Sequence, residues 1–134
     1  MMEKVKELLI KHEGLRLKPY RCPAGKLTIG VGRNIEDNGI SKDEALYLLK
    51  NDVNRCIKEL KEIFEDFDNL PENVKIALID MIFNLGKPRF LKFKKMIEAI
   101  KDKDFERAAA EAKNSKWCKQ VGGRCEDVVE LLNS

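Results

Sequence analysis

Apolar residues recur at helical spacing along most of this chain, and the one stretch where they do not lies near its start. Residues 2–12 place Val5, Leu8, Leu9 and His12 on one face at i, i+3, i+4 and i+7. That spacing predicts a short amphipathic helix, with Gly14 as its stop and His12 as a satisfied core histidine. Residues 15–36 lose the period, because Pro19, Pro23, Gly25, Gly30 and Gly32 interrupt any helix. Two strand-like pieces, 17–21 and 26–31, flank a tight Cys22-Pro23-Ala24-Gly25 connection, which predicts a small β-hairpin. A lone hairpin is marginal, so it must lean on helices.

The helical period then resumes. Ser41-Lys42-Asp43-Glu44 forms a capping box. It opens a long helix with Ala45, Leu48, Leu49, Val53, Cys56, Ile57, Leu60 and Phe64 on one stripe. A break follows at 68–71, with Pro71 expected as the next first helical residue. Residues 71–85 are apolar nearly all round and predict a central buried helix, ended by Gly86 and Pro88. Helices are expected at 89–100, 103–114 and, after Gly122-Gly123, 124–132. The fold class is therefore α+β and mostly helical: a small β-hairpin lobe packed against a helical bundle lobe, with a cleft between. The expected layout is one domain over 1–134, with 14–40 as the β lobe. Residues 41–66 would be the connecting helix, and 1–13 with 67–134 the helical lobe. Clefts between lobes are where ligands bind.

Composition narrows the function classes. The 134 residues are 43% hydrophobic and 37% charged, with a net charge of +3. Such a chain is globular rather than disordered. The mild positive bias suits a polyanionic target such as bacterial wall. Basic residues are interleaved with acidic ones, which argues against nucleic acid. No apolar run is long enough for a signal peptide or an anchor, so folding in a cytoplasm and no stable membrane insertion are expected. Cys22, Cys56, Cys118 and Cys125 are too few for a disulfide scaffold. Cys56 reads as a small core residue, and Cys118 and Cys125 as free thiols able to pair only under oxidation. With one histidine and no Cys-x-x-Cys pair, no metal and no cofactor are expected.

Chemistry concentrates at the first helix end. Glu13 falls in its last turn, where the partial negative charge of the helix terminus disfavours a carboxylate. A proton-bearing carboxyl is what a general acid needs. Eight residues separate Glu13 from Cys22 and five separate Cys22 from Thr28; EGLRLKPY (13–20) and TIGVG (28–32) surround them. This pattern resembles the phage-type lysozymes, the endolysins of glycoside hydrolase family 24, whose catalytic glutamate, aspartate or cysteine, and threonine stand at that spacing. ALIDMIFNLG (77–86) resembles their central helix, and Ser115-Lys116-Trp117 with Arg124 their later segment. The resemblance covers nearly the whole chain. Departures are a short connection between Gly32 and Ser41, and Arg33 where larger relatives often have histidine. The second puts an ion pair at that spot in doubt.

The resemblance implies a lysozyme-like fold and a muramidase for host-cell lysis. It would act on peptidoglycan as a monomer held in the host cytoplasm until a separate holin releases it to the cell wall or periplasm. Glu13 would be the acid. Cys22 and Thr28 would position or activate the water, with Cys22 open to roles as base, nucleophile or spacer. Gly32, Phe83, Asn84 and Arg124 would contact substrate, Arg124 also orienting the acid. Asn84 has helix capping as its competing role. Asp80, a carboxylate in an apolar helix, needs a partner, and Arg124 is the expected one. Rival readings are a catalytically impaired wall-binding relative, a lytic transglycosylase on the same fold, and a membrane-disrupting protein.

Overall fold

Ser41 and Glu44 satisfy each other's backbone groups as a capping box should. The Glu44 N–H donates to Ser41 Oγ at 3.1 Å, and the Ser41 N–H donates to Glu44 Oε1 at 2.8 Å. They open the long helix α3 (Lys42–Ile63). Before it come α1 (Met2–Glu13), β1 (Arg16–Arg21), β2 (Leu27–Gly30), β3 (Arg33–Asn34) and α2 (Ile35–Asn38). After it come a 3-10 turn at Phe67–Asn69 and α4 (Glu72–Leu85), then α5 (Lys87–Phe90) and α6 (Lys94–Lys101). The chain closes with α7 (Phe105–Lys113), α8 (Lys116–Val121) and α9 (Gly123–Asn133). The computed structural model describes residues 1–134 and divides them into two units, Met1–Tyr47 and Leu48–Ser134, with the boundary inside α3.

The first unit holds an antiparallel sheet in the order β1-β2-β3, pairing Tyr20 with Thr28 and Thr28 with Asn34. Its first connection is the expected tight turn. Gly25 N–H donates to the Cys22 carbonyl at 2.8 Å, and Cys22 N–H donates to the Lys26 carbonyl at 3.0 Å. Gly25 sits at φ 80, a left-handed value that suits glycine. The hairpin expectation was one strand short. The chain turns at Gly32 and adds β3, and Asn34 then caps α2 by accepting from the Asp37 N–H. Arg33 does hold an ion pair, correcting the doubt at that position: it donates to both Glu44 oxygens at 3.0 and 2.8 Å. α1 buries none of its residues, so His12 is exposed rather than a core histidine.

The second unit carries the hydrophobic core. α4 contributes Val74, Ala77, Leu78, Met81, Ile82 and Leu85, all buried. It packs against α9, which itself meets α7 and α8. Phe64 and Phe90 meet edge to face at 6.4 Å. α4 is less uniformly covered than its composition predicted, since Ile76 and Phe83 remain exposed. On the α3 stripe Cys56 and Leu60 are buried, whereas Leu48 and Leu49 are exposed. Pro71 stands at the N-cap, one residue before the first helical position.

Two helix expectations need correction. The stretch 89–100 is α5 and α6 rather than one helix; Phe93 N–H donates back to the Phe90 carbonyl at 3.0 Å and closes the turn between them. α8 was not foreseen. It starts where Ser115 accepts from the Cys118 N–H, and it stops at Gly122, φ 58. Cys118 and Cys125 are bonded to each other, not free thiols; the bridge spans Gly122 and joins α8 to α9, with Cα atoms 5.0 Å apart.

Candidate active site

Three of the expected residues lie close together in chain and in the first unit. Glu13 is the last residue of α1, and Gly14 follows with φ 79, its N–H donating to the Ile10 carbonyl. The exposed Glu13 side chain lies directly over Gly32. A Cβ on Gly32 would sit 2.8 Å from Glu13 Oε2 and 3.0 Å from its Cδ. The absence of a side chain at residue 32 is therefore what gives the carboxylate its seat.

Cys22 and Thr28 are joined through the backbone of Lys26. Thr28 Oγ1 donates to the Lys26 carbonyl at 2.8 Å, and the Cys22 N–H donates to the same oxygen at 3.0 Å. Thr28 is 3% exposed and is the one buried polar residue of the chain. Its place opposite both Tyr20 and Asn34, in the central strand, explains that burial. Cys22 is half-buried at the turn. A hydrogen bond from the Lys26 backbone holds its thiol below the ordinary range, against partial desolvation. The Ala24 backbone, the Thr28 hydroxyl and its own backbone act the same way. Thr28 has a single hydroxyl proton, already given to Lys26, so its support of a thiolate requires that rotor to turn. The turn thus stabilises the thiolate relative to an ordinary cysteine.

The expected residues of the second unit have partners of their own. Arg124 Nε and Nη2 donate to the two Asp80 oxygens at 3.1 and 3.3 Å, the pairing expected for Asp80. Asn84 does not cap the helix, which ends at Gly86; its Oδ1 accepts from Trp117 Nε1 at 2.8 Å. Phe83 lies beside the Asp80–Arg124 pair, on a depression of about 350 Å³ that Leu49, Val53 and Ile76 also line. The Asn84–Trp117 bond was not read from the sequence. The two residues stand 33 positions apart, and only the demand of a buried indole N–H for an acceptor hinted at it.

The model of the phage lysozyme family matches residues 10–132. The chain belongs to that family. Among curated relatives, the probable T4-type lysozyme 2 of Dictyostelium discoideum is 29% identical over 164 positions, covering 100% of this chain and 96% of the relative. The endolysin of Acyrthosiphon pisum secondary endosymbiont phage 1 is 32% identical over 91% of this chain and 83% of its own length. The peptidoglycan hydrolase gp36 of Pseudomonas phage phiKMV is 23% identical over 92% of this chain, though over only 14% of its own length. This lysozyme-family chain is accordingly a glycoside hydrolase of the lysozyme type, with peptidoglycan as its substrate. Its α+β, mostly helical fold fits that family. No helix is long and apolar enough to cross a membrane.

Proposed function

We propose that this lysozyme is an N-acetylmuramidase that cleaves the β-1,4 bond between N-acetylmuramic acid and N-acetylglucosamine, acting as a monomer and as one lysozyme-like domain. Glu13 donates a proton to the leaving oxygen. Cys22, drawn toward thiolate, and the Thr28 hydroxyl hold and activate the water that attacks the anomeric carbon. One arrangement supports this above all: within Met1–Tyr47, Glu13 rests on Gly32, and Cys22 and Thr28 share the Lys26 carbonyl. Gly32, Phe83, Asn84 and Arg124 are proposed to contact the glycan. Arg124 keeps N–H groups beyond the two given to Asp80. The setting we propose is host lysis by a phage or prophage. A separate holin would release the enzyme from the host cytoplasm, and the endolysin relative supports that setting.

Zymography of the wild type beside Glu13→Gln and Cys22→Ser tests the assignment. Loss of a positioned acid removes roughly 10²–10⁴ of rate, so Glu13→Gln should leave no cleared band. Full activity in Glu13→Gln would overturn its role, and full activity in Cys22→Ser would reduce the cysteine to a spacer. Mass spectrometry of the products should show water added at the new reducing end. An anhydro sugar instead would make the enzyme a transglycosylase.

A further inference from the structure

A further concavity lies within the second unit, and the Trp117 that bonds Asn84 is among its lining residues. It measures about 670 Å³, and Arg89, Lys92, Lys94, Lys95 and Lys116 line it against a single acid, Glu111. None of these five is held in an ion pair. The stretch 84–97 carries five cations and no acid. Local helix electrostatics add to the accumulation. α5, α6 and α8 have no acid in their first turns and each begins with a lysine, whereas every other helix carries an acid there. Lysines at the positive end of a helix are unfavourably placed for stability. Like charge gathered in one basin raises the local concentration of an anionic ligand there.

We infer that this basin is a docking surface for a linear phosphodiester polymer of the bacterial wall, of the glycerol-phosphate type. Each repeat of such a polymer carries one negative charge, so several lysines can be engaged at once. Four of the five cations are lysines, compact mobile charges suited to phosphate rather than to one fixed carboxylate geometry. Half-buried Phe93, backed at a right angle by the buried Trp117 with centroids 6.3 Å apart, offers the uncharged backbone of the polymer an apolar surface. An anionic membrane fits less well. The apolar residues of α6 (Met96, Ile97, Ala99 and Ile100) are all buried, leaving that helix no apolar face to insert.

The test is calorimetric titration of the full-length protein with deacylated poly(glycerol phosphate) at low and raised salt. Wild type should bind, with affinity falling as salt rises. The variant Lys92→Gln/Lys94→Gln/Lys95→Gln/Lys116→Gln should bind at least about tenfold more weakly with a shallower salt dependence, since fewer counterions are released. The matched all-arginine variant should keep binding, which separates lost charge from lost fold. Both variants should degrade polymer-stripped peptidoglycan as the wild type does, so this result stands apart from the outcome for Glu13. Equal binding by the glutamine variant overturns the proposal. Equal affinity of wild type for polyglutamate would show an unselective polyanion surface. Preferential binding to phosphatidylglycerol vesicles would transfer the surface to membranes.

Discussion

At the scale of single residues, the contact between Glu13 and Gly32 makes the sharpest claim. Gly32 has φ 65, and a Cβ there would press on the Glu13 carboxylate at 2.8 Å. The carboxylate ends a flexible side chain and can move aside, so Gly32→Ala should still fold. Holding alanine in a left-handed conformation costs roughly 1–2 kcal/mol. The Glu13 carboxylate, however, is pushed from its seat, and if it is the general acid as proposed, a misplacement of about 1 Å can cost on the order of 100-fold in rate. Turbidity loss of a wall suspension should therefore fall far more than the melting temperature. Retained activity would mean that the acid works from somewhere other than over Gly32. The seat was invisible in the sequence. Spacing nominated Glu13, Cys22 and Thr28, but it cannot show that the side chain of one lies on the bare backbone of another residue 19 positions on.

At the scale of elements, the cap of α3 couples helix stability to acid. Glu44 accepts from Arg33 and from the Ser41 backbone, and the Arg33 guanidinium is the main reason its carboxyl is lowered from 4.5 to about 2. In the unfolded chain Glu44 regains its ordinary value. Its contribution is thus fully present above pH 4.5, declines as pH falls, and is gone below about 2. Urea midpoints of wild type should drop across that window, and Glu44→Gln should show a flatter acid limb. Ser41→Ala should cost about 1 kcal/mol in the same assay. An unchanged acid limb in Glu44→Gln would place the acid sensitivity elsewhere. This cap was legible because its signal is local, four residues with a defined geometry. α4 was legible because 14 residues hold several turns of the period. β3 and α2, two and four residues long, hold no period at all. Between α5 and α6 the apolar spacing runs on through Phe90, Phe93 and Ile97 while the backbone turns, so one pattern covered two helices.

At the scale of the whole molecule, the hydrophobic core belongs to one unit. Every buried apolar residue from Cys56 to Leu132 lies in Leu48–Ser134. The bridge between Cys118 and Cys125 fastens two helices of that unit across Gly122. Closing so short a loop stabilises a fold by roughly 2–3 kcal/mol in the chain-entropy account. Reductant should lower the melting midpoint by roughly 5–10 °C for a chain of this size. A Cys118→Ser/Cys125→Ser variant should melt at the reduced value with or without reductant. An unaltered midpoint on reduction would show that the bridge contributes nothing to stability. Cys22 makes the opposite demand on its surroundings. A thiol poised toward thiolate and partly open to solvent is the group that disulfides and peroxides capture first. Oxidant that closes the staple in one unit also reaches the sulfur in the other, so if Cys22 serves the reaction as proposed, the preparation that survives heat best should not be the one that cuts fastest, and storage conditions become a choice between durability and turnover.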